Sequence, residues 1–325
     1  MNQSRAMLAT IPLAAALFLT SACKERKIIS IDGSSTVGPI SMAVAEDFQH
    51  ANGNVKVTVG ISGTGGGFKK FCNGETDISD ASRPIKKEEV EACKTKAIEY
   101  VELPVAYDGL AVLVSPQNDW VKELTTEQLK KIFTSENPAK TWKEVNPAWP
   151  DAAIKIFAPG KDSGTHDYFV EEILGKKKQM RPDASFSESD NVLVTGISGE
   201  KNSIGFFGLA YFENNKDKLK LVPIVNPKTK AAVLPSVDTV KSGEYAPLSR
   251  PLFIYVSTKA AAKEEVKAYI DFYLTNGAKL SAQVGYIALP DGVYTKAKSR
   301  FASLQTGSVF QMEGHEGKTI EQVFN

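Results

Sequence analysis

Ser62-Gly63-Thr64-Gly65-Gly66-Gly67 stands between an extended run, Val55-Lys56-Val57-Thr58-Val59-Gly60-Ile61, and the apolar-basic segment Phe68-Lys69-Lys70-Phe71. The alternation before it predicts a strand, and the pattern after it predicts a short helix near 68–72. Two further clusters share this setting of strand, small donors and helix. They are Gly33-Ser34-Ser35-Thr36, after Ile28-Ile29-Ser30-Ile31, and Asp162-Ser163-Gly164-Thr165, after Ile154-Lys155-Ile156-Phe157. A glycine-rich turn at a helix start exposes unpaired N–H groups, and the helix dipole favours negative charge there. Three such turns in one chain predict that their donors converge on one oxyanion.

Nucleotides are excluded as that anion. A phosphate-binding loop of the Walker type needs Lys and then Ser or Thr after its last glycine, whereas Phe68 follows Gly67 and Asp162 follows Lys161. A dinucleotide fingerprint counted from Gly63 would need glycine at position 68. A serine hydrolase would need the nucleophile elbow G-x-S-x-G, and none occurs. Of the histidines His50, His166 and His315, only His166 sits beside a donor cluster. A phosphatase or hydrolase using His166 or one of these serines is therefore the alternative chemistry to be weighed against simple binding. No catalysis and no cofactor are expected.

The bulk numbers describe a globular chain with no special field. At 325 residues it suits two lobes, and 42% apolar with 24% charged residues is ordinary. Lys+Arg 39 against Asp+Glu 38 leaves +1, so nothing suggests nucleic acid. At the N-terminus, Arg5 precedes an apolar run over 7–19 and then Thr20-Ser21-Ala22-Cys23. The run is too short to span a bilayer and reads as a secretory signal over residues 1–22. Cys23 after small residues looks like the lipidated cysteine of a bacterial lipobox, although Leu19 is four residues before it rather than three. Residues 23–27 form a charged tether. Cys72 and Cys93 remain, and an even pair in an exported chain predicts a disulfide. The loop it closes contains Ser82-Arg83, and chain entropy assigns such a closure roughly 3 kcal/mol. Neither cysteine has a neighbour at metal-ligand spacing, so no metal site is expected.

Taken in order, strand 28–31, the first donor turn, a helix with Val37, Ile40, Val44 and Phe48 on one stripe, and strand 55–61 make a βαβ unit. A charged helix over 86–94 and strands at 100–104 and 109–115 follow. Thr125 with Gln128 reads as a capping box opening a helix that carries Leu129, Ile132 and Phe133. The segment 137–150 is a surface excursion whose tryptophans pack. After the third cluster, Phe169, Val170, Ile173 and Leu174 mark a helix. Asp190-Asn191 opens another, and Ile204-Gly205-Phe206-Phe207 is a strand. Leu252-Phe253-Ile254-Tyr255-Val256, behind Arg250-Pro251, is a strong strand, and Val266, Tyr269, Ile270, Tyr273 and Leu274 form a final stripe. The alternation is α/β throughout.

The ordered set Ile31-Asp32-Gly33-Ser34-Ser35-Thr36-Val37, Ser62 to Gly67, Asp80-Ala81-Ser82-Arg83-Pro84 and Asp162-Ser163-Gly164-Thr165 resembles the PstS-like family. These are periplasmic phosphate-binding receptors of the phosphate ABC transporter. Tyr107-Asp108-Gly109-Leu110 and Asp190-Asn191 also sit where the family's pattern places them. The resemblance implies a type II periplasmic-binding-protein fold: two lobes, each a mixed sheet flanked by helices, joined by hinge crossovers near 107–111 and 250–253. Residues 28–107 with 253–325 would form lobe I and 108–252 lobe II.

The resemblance also implies an exported, lipid-anchored, monomeric receptor in the periplasm or cell envelope. It would touch the membrane only through its lipid and deliver inorganic phosphate to permease subunits. The same fold binding molybdate or sulfate is the nearer alternative. The implied donors are Ser34, Ser35, Thr36, Ser62, Gly63, Thr64, Ser82, Ser163, Gly164, Thr165 and Asn191, with Arg83 as a bidentate charged partner. Discriminating monohydrogen phosphate from sulfate requires a carboxylate that accepts the phosphate proton. Well-known members carry Asp where Ser82 stands and Arg before the S-G-T cluster, where this chain has Pro159-Gly160-Lys161-Asp162. The acceptor is thus open among Asp80, Asp162 and Asp190, with Asp190 preferred.

Overall fold

In the computed structural model the described residues are 27–161, 163–175, 178–187, 189–213, 215–310 and 320–324. The signal segment, the lipobox Cys23, the tether up to residue 26 and Asp162 lie outside them. Strand β1 (Lys27–Gly33) therefore starts at the last residue assigned to the tether. Helix α1 (Gly38–Ala51) follows, and strand β2 (Val55–Ile61) returns parallel to β1, completing the expected βαβ unit. Val37, Ile40, Val44 and Phe48 are all buried. Each contributes about 1.5–3 kcal/mol relative to exposure.

Helix α2 (Gly63–Cys72) begins five residues before the expected start at Phe68, so the glycines lie inside its first turns. Glycine costs a helix about 1 kcal/mol relative to alanine, which is why sequence reads this stretch as a turn. Close packing overrides that preference. A Cβ on Gly67 would lie 2.5 Å from Gly33 Cα and 2.8 Å from the carbonyl oxygen of Asp32, so only glycine lets α2 rest on the end of β1.

Strand β3 (Ile78–Ala81) and helix α3 (Lys87–Thr95) lead into β4 (Tyr100–Val114). The sequence reads two strands here, broken at Pro104. The structure has one 15-residue strand, buried along its whole length. Pro104 faces a register shift between Leu252 and Phe253 on its neighbour, and such a bulge accommodates the missing N–H.

Helices α4 (Thr126–Phe133) and α5 (Trp142–Val145) precede β5 (Lys155–Pro159). The predicted capping box at α4 is present, with Gln128 N donating to Thr125 Oγ1 at 3.1 Å and Thr125 N to Gln128 Oε1 at 2.9 Å. Trp142 is fully buried and meets Trp120 and Trp149 edge-on, so these tryptophans pack. Next come α6 (Gly164–Phe169), continued by a π turn over Val170–Leu174, then β6 (Ser185–Ser187), α7 (Asp190–Gly199), β7 (Ser203–Gly208) and α8 (Leu209–Glu213). The short strands β8 (Lys220–Leu221), β9 (Ile224–Val225) and β10 (Ala232–Val233) lead to α9 (Val237–Lys241) and then β11 (Ser249–Ser257). Helices α10 (Thr258–Ala261), α11 (Glu264–Gln283), α12 (Asp291–Ala302) and α13 (Ile320–Val323) complete the chain.

The main sheet runs β2-β1-β3-β11-β4-β7-β5-β6, with β8 on β4. Its two ends are parallel, and β11 and β4 are antiparallel at its centre. The first part of β4 pairs with β11, while Leu110 to Val114 pair with β7. Both central strands thus join the two halves of the sheet. The C-terminal helices return to the first half, where Tyr269 of α11 packs edge-on against Phe48 of α1 at 5.3 Å.

Candidate anion-binding site

The three donor clusters end at the carboxyl ends of β1, β2 and β5, where α/β folds place ligands. In the first, Ser34 N donates to the carbonyl oxygen of Asp80 at 2.9 Å, fixing the loop to β3. Ser34 Oγ accepts from Thr36 N at 3.1 Å, which holds the turn into α1. In the second, Thr64 Oγ1 lies 3.1 Å from Ser82 Oγ and accepts from Ser82 N at 3.2 Å, joining α2 to the loop after β3. In the third, Ser163 caps α6 through Thr165 N at 3.2 Å. A Cβ on Gly164 would sit 2.6 Å from Thr36 N, so the absence of a side chain there lets α6 abut the first loop.

These elements surround a cavity of about 370 Å³. Of the expected site residues, Ser34, Ser35, Thr36, Gly63, Thr64, Ser82 and Arg83 line it. The others do not. Ser62 turns its hydroxyl to Asp32, whose other oxygen holds Lys70 Nζ at 2.6 Å. Ser163, Gly164 and Thr165 form the junction with the first loop, and Thr36 Oγ1 donates to the carbonyl oxygen of Gly164 at 3.3 Å. Asp190 and Asn191 open α7 and are not among the residues lining the cavity, and Asn191 Oδ1 accepts from Tyr211 at 2.6 Å.

Asp80, another candidate acceptor, lies beneath the first loop with its carboxylate on Ser41 Oγ at 2.9 Å, also outside the lining. Burial pushes its carboxyl up to about 7 against the Ser41 hydrogen bond. Among the described residues, the carboxylates that do face the cavity are Glu88, Glu89, Asp167 and Glu171. Asp167 Oδ2 accepts from Ser35 Oγ at 3.4 Å.

Arg83 reaches the cavity with its guanidinium already clamped. Nη1 and Nη2 donate to the two oxygens of Glu89 at 2.8 and 2.7 Å, and Nη1 also reaches the carbonyl oxygen of Pro84 at 3.1 Å. Among the described residues three of its five N–H groups are used, which leaves Nε–H and one Nη2–H for a ligand.

Sequence reading missed Arg250 as a site residue. Its guanidinium lies 3.4 Å from the centre of the Tyr168 ring, pairs with Asp108 at 3.4 Å, and donates to Thr36 Oγ1 at 2.9 Å. Burial raises the Asp108 carboxyl, and Arg250 opposes that shift. The only signal in the chain was an Arg-Pro pair before a strongly apolar strand.

His166 is buried on α6, outside the lining, and its ring stands edge-on to Phe186 at 6.0 Å. Among the described residues no serine hydroxyl hydrogen-bonds to either ring nitrogen of His166, the contact by which a histidine activates a serine nucleophile. A larger concavity of about 530 Å³, beside Met42, His50 and Val57 on α1 and β2, is lined by none of the donor residues. Size therefore does not identify the site; the convergence of donors does.

Two α/β halves joined by antiparallel central strands, with small donors and arginines facing one cavity, define a solute-binding receptor. Residues 20–276 match the PBP superfamily domain. The chain is 51% identical to protein SphX of Synechococcus elongatus, over 99% of this chain and 96% of that one. It is 44% identical to the phosphate-binding protein PstS of Staphylococcus haemolyticus, over 81% of each. The crystal structure of a possible phosphate-binding protein from Planctomyces limnophilus superimposes with a TM-score of 0.82 at 45% identity, covering 85% of this chain and 98% of that one. The chain belongs to the PBP superfamily, within its PstS-like family of two-lobe receptors.

The disulfide Cys72–Cys93 is formed and ties α2 to α3. Among the described residues no helix is long and apolar enough to cross a membrane, and no group of side chains is placed to hold a metal ion.

Proposed function

We propose that this chain is an exported receptor that captures inorganic phosphate between two lobes and delivers it to the permease of an ABC transporter. The observation carrying this reading is one cavity that collects hydroxyl and backbone donors from three separate segments, together with Arg83 and Arg250. Lobe I comprises residues 28–107 and 253–325, and lobe II comprises 108–252. The crossovers are the central strands near 107–111 and 250–253.

Ser34 to Thr36, Gly63 and Thr64, and Ser82 with Arg83 present donors from lobe I, and α6 closes the cavity from lobe II. An anion touching both sides favours the closed form by its extra contacts there. Arg250 supplies positive charge at the crossover. Ser62, Ser163, Gly164 and Thr165 hold the donor loops in place. Cys23 carries the lipid, so the monomeric receptor works at the cell-envelope side of the membrane. Catalysis has no part in this reading, and no cofactor is needed.

The proton acceptor for phosphate is one of the carboxylates facing the cavity, and Asp167 is preferred because it already accepts from Ser35. Calorimetric titration with phosphate, sulfate and molybdate tests the whole. Micromolar or tighter phosphate binding without competition from sulfate is expected. Absence of phosphate binding, or a preference for molybdate, overturns it. Turnover of a phosphoester that is lost in His166→Ala would instead favour a hydrolase.

A further inference from the structure

Helix α3 forms one wall of the cavity and packs on α2 through a small contact, Cys93 and the half-buried Val90. Of its residues only Cys93 is buried, and the rest of the helix is charged or partly exposed. Cys93 is also the residue that bonds covalently to Cys72 at the end of α2. One turn earlier on α3, Glu89 clamps both terminal nitrogens of Arg83 and accepts from Lys86 N at 2.8 Å. Cys72 Sγ lies 3.4 Å from the carbonyl oxygen of Glu89, so bridge and clamp share one turn of helix. On the other side, Arg83 lies over the Phe68 ring at 5.6 Å, and Phe68 belongs to α2, the helix that carries Cys72.

We propose that Glu89 is a positioning residue for Arg83, and that the Cys72–Cys93 bridge sets where Glu89 stands, so anion affinity depends on whether the bridge is closed. The inference rests on the phosphate-binding reading above. A side chain held by a fixed carboxylate presents its remaining N–H groups in one direction and loses little rotamer entropy on binding. With the bridge open, α3 loses its covalent tie to α2 and is held there chiefly by Cys93 and the half-buried Val90, so Glu89 can shift with it and Arg83 must be ordered by the ligand. Opening by a dithiol converts the bridge to two thiols, taking two electrons and two protons, while the dithiol closes to its own cyclic disulfide.

The test compares phosphate titrations of the oxidised protein, Cys72→Ser/Cys93→Ser, Glu89→Ala, and the triple variant, each checked for native circular dichroism. The serine pair is expected to bind phosphate at least about fivefold more weakly, the lower range of inter-site coupling. In the Glu89→Ala background the same serine pair should cost no further affinity, because the route has been removed. Equal losses in both backgrounds, or less than a twofold loss in the first, overturn the proposal.

A ligand-free arm keeps it separate from the phosphate reading. Dithiothreitol should raise amide exchange over residues 87–95 and broaden the Arg83 Nε resonance. An unchanged α3 and Arg83 would defeat the proposal even if phosphate binds. Failure of the oxidised protein to bind phosphate would defeat the earlier reading, and the ligand-free arm would still decide this one.

Discussion

Arg250 Nη2 donates to Thr36 Oγ1 at 2.9 Å, and the same hydroxyl donates onward to the carbonyl oxygen of Gly164 at 3.3 Å. One threonine hydroxyl thus joins the first donor loop, the central strand β11 and the start of α6. Arg250 is held in turn by Asp108, which is 3% exposed. Removing the arginine leaves that carboxylate buried without its charged partner. Arg250→Ala should cost about 3–5 kcal/mol of stability. Adding Asp108→Asn should restore much of it, as read from urea unfolding of both variants. Additive losses in the pair would mean that the two residues act separately.

Arg83→Ala should weaken phosphate binding at least about tenfold, since a charge-assisted hydrogen bond contributes about 1.5–3 kcal/mol. Global stability should change less, because the Arg83–Glu89 pair is only half-buried at the cavity edge. Titration calorimetry checks the affinity. Binding equal to that of the parent would remove Arg83 from the site.

Gly67→Ala tests the seating of α2 on β1. The added methyl would meet backbone atoms of Gly33 and Asp32, and backbone cannot turn aside as a side chain can. A loss of about 1–3 kcal/mol is expected from such overpacking, with weaker anion binding because the start of α2 shifts. By contrast, Gly53→Ala, where a Cβ meets nothing within 4 Å, should be close to neutral in thermal melts.

Asp80 gives the fold a pH dependence of defined sign. Its folded carboxyl is pushed up to about 7 from an ordinary value of 3.8. Between those two pH values the folded chain holds a proton that the unfolded chain has released. Stability from this group therefore falls as pH rises through that window and levels off above it. The full effect is on the order of 4 kcal/mol. Asp80→Asn should remove this slope and be the more stable protein at about pH 8. Denaturation midpoints across the window would show the difference between parent and variant; parallel curves would contradict it.

Much of the fold is legible in local patterns. The stripe Val37, Ile40, Val44 and Phe48, the Thr125–Gln128 cap, the packing tryptophans and the Cys72–Cys93 pair all rest on interactions between near neighbours or on composition. Ser34, Thr36 and Thr64 were readable for the same reason, since small donors after a strand and before a helix announce exposed N–H groups, whereas Ser82 entered only through the family resemblance.

Tertiary structure decided the rest. Only packing against Gly33 placed the glycines of Ser62 to Gly67 inside a helix instead of before one, because local propensity opposes that outcome. Only the pairing of β11 with β4 brought Arg250 to Asp108 and Thr36, which no spacing in the sequence announces. Among the described residues the carboxylates at the cavity are Glu88, Glu89, Asp167 and Glu171, brought there by the faces of α3 and of α6 with its π turn, while Asp190 does not line it. The sequence by itself determined the first two donor loops and the strands that carry them, since both follow from short-range stereochemistry. Which charges face those donors depends on contacts between segments far apart in the chain, and that was settled only when the sheet closed.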